Sequence, residues 1–153
     1  MINIRLATLE DLSILQTLND EVFVDNAKYD SDLNLNWSKG EKGRKYFSDI
    51  LVNQDVFKVI AEDGGKAIGY LTAIEKLIDY RKSKYLEIEN MGVIPEYRSK
   101  GIGKQLMEEC FIWGKQNGYQ KVFVNTYIAN EKALKFYKKN GFNEIDISLE
   151  KIL

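Results

Sequence analysis

The sequence contains no histidine, and this absence excludes several kinds of active site. Histidine is the usual general base near neutral pH and the commonest protein ligand of transition metals. A Ser-His-Asp triad and a Cys-His pair are therefore excluded, and no metal site is expected. Any proton transfer must use carboxylates, tyrosine, lysine, cysteine, water or the backbone.

Cysteine and proline are also scarce. Cys110 is the only cysteine, so an internal disulfide is excluded and a reducing compartment, the cytoplasm, is expected. Cys110 falls among the apolar residues of a predicted helix, which favours a core position over a nucleophilic role. Because there is only one proline, nothing suggests a linker, and we predict a single domain over residues 1–153.

Two further absences limit the partners that the chain can have. No apolar run approaches about 20 residues, so no membrane span is expected. The formal net charge is −1, so no overall electrostatic field favours a nucleic acid. With 44% hydrophobic residues, the chain can still build a packed core. These features favour a soluble cytoplasmic enzyme.

The spacing of the apolar residues predicts an α/β fold. Strands are predicted over residues 2–6, 57–62, 66–76, 85–93, 121–127 and 142–151. Helices are predicted over residues 12–24, 41–52, 101–116 and 131–139. The resulting order β-α-α-β-β-β-α-β-α-β indicates a mixed central sheet flanked by helices.

The segment Arg-Ser-Lys-Gly-Ile-Gly at residues 98–103 lies between a predicted strand and a predicted helix. Its two glycines allow the backbone to approach a ligand closely. The N–H groups at the start of a helix lack intrahelical partners and, with the helix dipole, favour an anion. Arg98 and Lys100 add positive charge at the same place. We therefore predict a phosphate-binding loop.

Spacing argues against two familiar phosphate-binding loops. A Walker A loop requires Gly-x4-Gly-Lys-Ser/Thr, and this register would put Arg98 at the first glycine and Gln105 at the hydroxyl residue. A Rossmann loop requires a third glycine where the chain has Leu106. A nucleotide-binding module is thus the less favoured alternative.

A third pattern fits this loop and a second segment downstream. Residues 93–103 contain Val-x-Pro followed by Arg-x-x-Gly-x-Gly, and residues 130–142 read Asn-x-x-Ala-x-x-Phe-Tyr-x-x-x-Gly-Phe. Together and in this order, the two segments resemble the signatures of the GNAT superfamily of N-acetyltransferases. The resemblance covers nearly the whole chain and implies a GNAT-like fold with acetyl-coenzyme A as the cofactor.

The resemblance also implies which residues hold the cofactor. The loop would bind pyrophosphate mainly through backbone N–H groups, and the end of the preceding strand would pair with the pantetheine arm. The implied residues are Met91, Val93, Arg98, Ser99, Lys100, Gly101, Ile102, Gly103, Lys104, Asn130, Ala133 and Phe136. Two of them have a simpler explanation: the side chain of Val93 suits the core, and Asn130 suits a helix cap.

Attack of an amine on a thioester needs a proton acceptor and a proton donor. By resemblance, Tyr137 is the general acid that protonates the departing thiolate, although its ring also suits plain packing beside other aromatic residues. Glu89 is the first candidate for the general base and Glu87 the second, each acting through water. Both have the same strand parity as Met91 and Val93, unless a bulge intervenes. The alternative for the two glutamates is a solvated sheet face.

The expected function is transfer of an acetyl group from acetyl-coenzyme A to a primary amine, by direct attack in a ternary complex without a metal. A small cationic amine, polyamine or aminoglycoside-like, is favoured as the acceptor. The reason is an acidic segment with two aromatic residues at the implied acceptor side: Asp25, Tyr29, Asp30, Asp32 and Trp37. The alternatives are a protein or peptide N-terminal acetyltransferase and a non-catalytic acyl-coenzyme A sensor.

Oligomeric state is left open by the sequence. Ile145, Ile147 and Leu149 alternate with polar residues in the last predicted strand. That strand is expected either to complete its own sheet or to join the sheet of a neighbour, which would give a homodimer.

Overall fold

A computed structural model describes all residues, 1–153. The strands are β1 Ile2–Leu6, β2 Phe57–Asp63, β3 Lys66–Lys76, β4 Tyr85–Val93 and β5 Lys121–Val124. The helices are α1 Leu12–Asn26, α2 Glu41–Val52, α3 Ile102–Gln116 and α4 Glu131–Lys139. A single 3₁₀ turn precedes α1 at Leu9–Asp11, and another precedes α3 at Pro95–Tyr97. The predicted α/β class is confirmed.

The five strands form one sheet in the order β1-β2-β3-β4-β5. The first three pairings are antiparallel, and β4 pairs with β5 in parallel because α3 connects them. Pairing between β4 and β5 covers only Tyr85–Ile88 against Lys121–Val124. The rest of β4, residues 89–93, has no strand on that side, so the two strands diverge towards the start of α3.

Apolar side chains cover both faces of the sheet. On one face, α3 buries Leu106, Met107 and Cys110 completely. On the other, Leu15 of α1 and Phe47 of α2 are fully buried against the sheet. The core position expected for Cys110 is confirmed, and burial raises the pKa of its thiol to about 12, which keeps the thiolate unpopulated near neutral pH.

An ion-pair cluster joins β1, β2 and the start of α1. The Arg5 guanidinium lies 2.8 Å from Asp11 and 2.7 Å from Glu62. Asp11 also accepts a hydrogen bond from the Thr8 backbone N–H at 2.8 Å, which fixes the turn before α1. The Asp11 side chain is 6% exposed and that of Arg5 33%, so the pair is only partly shielded from solvent.

The predicted last strand over residues 142–151 is wrong. These residues form no strand, and β5 ends at residue 124 instead of 127. The alternating side chains are exposed, at 54% for Ile145, 66% for Ile147 and 88% for Leu149. A strand needs a neighbour to bond with, and within one chain nothing pairs with this segment.

No helix of the structure is both long and apolar enough to cross a membrane.

Candidate active site

The loop between β4 and α3 presents an uninterrupted row of backbone donors. Ser99 and Gly101 have φ values of 61° and 81°, in the left-handed region. None of the six N–H groups of residues 99–104 donates to a backbone carbonyl, and no side chain caps the helix start. Successive unpaired N–H groups in such a turn, at a helix N-terminus, form a binding site for an anion.

Side chains around the loop hold it in place. Arg98 donates from Nε to the Val93 carbonyl at 2.8 Å, and its guanidinium lies 2.5 Å from Asp25 at the end of α1. The ammonium group of Lys100 lies 4.9 Å from the centre of the Tyr97 ring. The Arg98 side chain is therefore engaged by protein groups, and the donors available to a ligand are mainly the backbone N–H groups and the lysines.

Three of the residues predicted to bind the cofactor meet at the first turn of α3. A Cβ atom placed on Gly103 would lie 3.0 Å from Cζ of Phe136 and 3.1 Å from Cε of Met91. Only glycine allows α3 to approach the side chains on α4 and β4 this closely. Val93, in contrast, packs its side chain against the core, in agreement with the alternative stated for it.

A bulge interrupts β4 at Glu89. Thr72 of β3 pairs with Asn90 and Ala73 pairs with Ile88, so Glu89 has no partner across the strand. A bulge leaves one extra residue unpaired and redirects its side chain. Glu89 is consequently exposed beside the gap between β4 and β5.

The bulge also changes which side chains share a face. Ile88 packs against the core on the α3 side before the bulge, and Met91 and Val93 do so after it. The expectation that Glu87 shares a face with Met91 and Val93 is therefore wrong, because one inserted residue reverses the alternation.

Glu87 and Glu89 have different surroundings. The Glu87 carboxylate lies 2.7 Å from the Lys76 ammonium group, and its side chain is 22% exposed. Glu89 has no cationic partner, and the Tyr46 hydroxyl donates to its two oxygens at 3.2 Å each. Desolvation raises the pKa of Glu89, the negative charge of Glu87 adds to the increase, and the Tyr46 hydrogen bond opposes it. Glu89 is thus the carboxylate better suited to accept a proton.

A polar network connects Glu89 to the interior. Asn90 donates to the Tyr46 hydroxyl at 2.8 Å and accepts from Asn19 at 3.1 Å. Asn19 also donates to the buried Tyr70 hydroxyl at 2.8 Å and accepts from Ser38. These side chains link α1, α2, β3 and β4 behind the bulge.

Sequence reasoning did not identify Tyr46, Asn90 or Asn19. A signal for Asn19 was present, because it lies four residues after Leu15 on the apolar stripe of α1 and is 1% exposed. A polar residue at a buried helix position needs a partner in the core. Tyr46 and Asn90 carried no such signal, since their roles depend on how α2 is placed against β4.

Tyr137 lies on α4 with its ring between two aromatic rings. The centres of Phe136 and Phe142 are 5.4 and 5.5 Å from the centre of the Tyr137 ring, both in edge-to-face arrangement. Burial raises its pKa to about 12. Its hydroxyl therefore stays protonated near neutral pH. At the start of the same helix, Asn130 accepts from the Ala133 N–H at 3.1 Å and caps α4.

The acidic segment between α1 and α2 is largely engaged in protein contacts. Asp25 pairs with Arg98, and Asp30 accepts from the Tyr127 hydroxyl at 2.7 Å. Tyr29 stacks on Tyr127 with ring centres 6.1 Å apart. Trp37 packs 5.4 Å from the Tyr46 ring, so the wall next to Glu89 is aromatic.

The comparisons with known proteins agree with the loop and fold described above. An uncharacterized N-acetyltransferase from Methanocaldococcus jannaschii is 26% identical over 112 residues, which are 72% of this chain and 50% of that protein. This chain therefore spans about half the length of that relative.

Two solved structures of acetyltransferases have the same fold. PaiA N-acetyltransferase from Thermoplasma acidophilum, in complex with coenzyme A, matches with a TM-score of 0.82 at 25% identity, over 97% of this chain and 93% of that one. An aminoglycoside N-acetyltransferase, also with coenzyme A, matches with a TM-score of 0.77 at 20% identity, over 100% of this chain and 95% of that one. The expected GNAT-like fold is confirmed.

The sequence profile of the acetyltransferase (GNAT) family matches residues 16–142. The matched range includes the strand, the loop and both signature segments. Because it covers well over half of the chain, this protein belongs to the GNAT family of acetyltransferases.

Proposed function

We propose that this protein is an N-acetyltransferase that uses acetyl-coenzyme A to acetylate a primary amine. The observation that carries the proposal is the row of unpaired N–H groups at residues 99–104, placed at the end of the gap between β4 and β5. A diphosphate at the loop and an extended arm in the gap would fill this shape. The gap ends at Glu89, which supplies a proton acceptor.

The residues present fit coenzyme A. Its pyrophosphate matches the anion site at residues 99–104, with Lys100 and Lys104 adding positive charge. Its pantetheine arm carries amide groups that can bond to the free side of β4 at residues 91–93. Gly103 lets the start of α3 lie close against Phe136 and Met91, two further residues of the proposed cofactor site. Arg98 acts in this proposal by holding the loop to β4 and α1.

Acetyl-coenzyme A supplies an acetyl group activated as a thioester. Glu89 removes a proton from the incoming ammonium group through water, because Glu87 is already paired with Lys76. The raised pKa of Glu89 makes its carboxylate a stronger base than an ordinary glutamate. Tyr46 holds that carboxylate at the bulge, and Asn90 in turn donates to the Tyr46 hydroxyl.

Tyr137 protonates the leaving thiolate in this mechanism. Its hydroxyl remains a proton donor throughout the neutral range, because burial raises its pKa to about 12. The flanking rings of Phe136 and Phe142 fix its position. Packing and catalysis are thus compatible roles for the same side chain.

A small cationic amine is the proposed acceptor. Glu89, which has no cationic partner, gives the end of the cleft negative charge, and Trp37 and Tyr46 provide an aromatic wall that can contact a cation. The aminoglycoside acetyltransferase with the same fold supports an amine of this class. Polyamines and aminoglycosides are therefore the first acceptors to test.

The direct test is release of coenzyme A thiol from acetyl-coenzyme A. A panel of polyamines, aminoglycosides, amino acids and N-terminal peptides is assayed at about pH 6 to 9. We expect release that depends on a polyamine or an aminoglycoside. Release of coenzyme A thiol with peptides alone would mean that the acceptors are protein N-termini and not small amines.

The Tyr137→Phe variant distinguishes an enzyme from a sensor. We expect unchanged affinity for acetyl-coenzyme A by calorimetry and a kcat lowered about 100-fold or more, as for loss of a general acid. Tight binding of acetyl-coenzyme A without turnover by the wild-type protein, with every amine tried, would favour a non-catalytic acyl-coenzyme A sensor.

A further inference from the structure

The polar network behind the bulge runs in one direction and ends at Glu89. The Ser38 hydroxyl donates to the side-chain oxygen of Asn19 at 2.6 Å, and the Asn19 amide donates to the side-chain oxygen of Asn90 at 3.1 Å. The Asn90 amide donates to the Tyr46 hydroxyl at 2.8 Å, and that hydroxyl donates to the Glu89 carboxylate at 3.2 Å. Each donor thus lies on the side away from the carboxylate.

Asn19 is the fixed point of this network. Its side chain is 1% exposed, and its amide nitrogen donates to the Tyr70 hydroxyl at 2.8 Å as well as to Asn90. Its oxygen accepts from Ser38, which is 0% exposed. Because both N–H groups and the oxygen are engaged by buried or partly buried partners, the Asn19 amide is held in one orientation.

The two amide groups give the network its direction. A hydroxyl reverses its role when its hydrogen rotates, whereas an amide presents an oxygen on one side and a nitrogen on the other. Since Asn19 presents N–H to Asn90, the Asn90 amide turns its oxygen to Asn19 and its nitrogen to Tyr46. The Tyr46 oxygen accepts that N–H, and its one hydrogen is directed to Glu89.

This direction favours the ionised form of Glu89. A carboxylate only accepts hydrogen bonds, and the bond from Tyr46 lowers the pKa of Glu89 against the larger raising effect of desolvation. The other charged groups that act on Glu89 are Glu87 on its own strand and Lys76 on β3, while α1 contributes the neutral Asn19. Burial raises the pKa of Tyr46, so its hydroxyl keeps its proton near neutral pH.

We propose that Asn19 is a positioning residue for Glu89 and acts on it through Asn90 and Tyr46. Asn19 makes no hydrogen bond to the carboxylate, and its amide sets the direction in which the Tyr46 hydroxyl points. Because Glu89 is the proton acceptor of the proposed function, this role of Asn19 rests on that function.

The ionisation of Glu89 can be followed by nuclear magnetic resonance of protein labelled with isotope-enriched glutamate, and the signal lost in Glu89→Gln assigns it. In Asn19→Leu we expect Glu89 to titrate at a higher pH than in the wild type, because the Tyr46 hydroxyl is no longer directed to it. The rate with the best amine should drop about threefold at low pH, as for a change of about half a pH unit in the midpoint.

The double variant Asn19→Leu/Tyr46→Phe distinguishes positioning from a merely structural effect. Since Asn19 acts through the Tyr46 hydroxyl, Asn19→Leu should cause no further shift of the Glu89 titration in the Tyr46→Phe background. An equal shift with and without Tyr46→Phe would overturn the proposal.

Asn90→Ala is a second single variant, in case Asn19→Leu does not fold. Asn90 lies at a partly exposed position and donates directly to Tyr46, so its loss should also raise the pH at which Glu89 titrates. Circular dichroism checks that each variant is folded. An unmoved Glu89 titration in either folded variant would contradict the proposed role.

Leu15→Ala is the matched control for lost packing. Leu15 is fully buried on α1 one turn before Asn19, and its side chain cannot form a hydrogen bond. This variant should lower the free energy of unfolding and leave the Glu89 titration unmoved. A shift as large as that of Asn19→Leu would mean that loosened packing accounts for the effect, and the proposal would fail.

The titration also keeps the role of Asn19 distinguishable from the proposed function. If the wild-type protein acetylates no amine, a Glu89 shift in Asn19→Leu that disappears in the Tyr46→Phe background still supports the positioning, while the proposed activity fails. If the wild type does acetylate an amine and Asn19→Leu leaves the Glu89 titration unmoved, the positioning fails and the activity stands.

Discussion

Glu89 lies at a position that two independent features make suitable for proton transfer. The bulge frees its side chain from the ladder between β3 and β4. Desolvation raises its pKa, while Tyr46, itself bonded to Asn90, donates to the carboxylate and restrains it. Because Glu87 is paired with Lys76 and Glu89 has no cationic partner, the two glutamates have different electrostatic surroundings.

Replacing Glu89 with glutamine should lower kcat with the best amine about 100-fold, because a general base typically contributes that much or more. In the wild type, the rate should fall with decreasing pH as Glu89 becomes protonated. Since its pKa is raised, this fall lies above the ordinary range of a glutamate. The dependence of the rate on pH in Glu89→Gln should lack this fall at low pH. Glu87→Gln is the control, and an equal loss in that variant would contradict the assignment.

In Tyr46→Phe, the fall of the rate with decreasing pH should occur at a higher pH than in the wild type. The Tyr46 hydroxyl stabilises the charged form of Glu89, so its removal raises the pKa of Glu89 further. The affinity for acetyl-coenzyme A should not change, since Tyr46 contacts neither the loop nor α4. A lower kcat with an unshifted pH profile would mean that Tyr46 acts only on the position of the acceptor.

The role of Tyr46 is an example of what the sequence could not indicate. Its hydroxyl meets Asn90 and Glu89 across a sequence separation of more than 40 residues. Contacts of this kind depend on how α2 packs against the sheet, which a local pattern does not encode. The residues of the loop could be predicted because they are consecutive and their chemistry is local.

Elements with a clear apolar period were predicted closely. The predicted bounds of α2, α4, β3 and β4 match the structure. The bulge in β4 was not located, although two consecutive polar residues, Glu89 and Asn90, interrupt the alternation between Ile88 and Met91. The last strand was predicted from alternation alone, and alternation does not say whether a partner strand is present.

The start of α3 combines a turn with a close approach of three elements, and Gly103 makes that approach possible. In Gly103→Val the new side chain would collide with Phe136 and Met91. We expect KM for acetyl-coenzyme A to rise about tenfold or more, because the collision displaces Met91 and the start of α3, which are both parts of the proposed cofactor site. Glu109→Ala, an exposed change on the same helix, should leave KM unchanged. An unaltered KM in Gly103→Val would mean that the pantetheine arm of the cofactor does not bind at this position.

Two cores on opposite faces of one sheet give the molecule its shape, and polar groups connect the elements at two places. Behind the bulge, Asn19 and Asn90 join α1 to β4. At the opposite edge of the sheet, Arg5, Asp11 and Glu62 join β1, β2 and the start of α1. The first place serves the proposed site, and the second contributes to stability of the fold.

The Arg5–Asp11 pair should make global stability depend on pH. Arg5, followed by the Thr8 backbone N–H, holds the pKa of Asp11 below its ordinary value, while desolvation acts against this. A lowered folded-state pKa stabilises the protein at every pH above the unfolded-state value of about 3.9. This contribution is lost as the pH falls through that value towards the folded-state pKa.

Asp11→Asn should therefore lower the free energy of unfolding by about 2 kcal/mol at neutral pH, since a charged hydrogen-bonded pair is broken. The difference from the wild type should be smaller at about pH 3, below the unfolded-state pKa of about 3.9, because the unfolded wild-type chain takes up a proton at Asp11 there. Urea unfolding at both pH values measures this difference in the free energy of unfolding. Asp49→Asn is the control, because Asp49 pairs with Lys45 on the exposed face of α2 and should change stability by less than about 0.5 kcal/mol. An equal loss for Asp11→Asn at both pH values would mean that shape, and not charge, accounts for the effect.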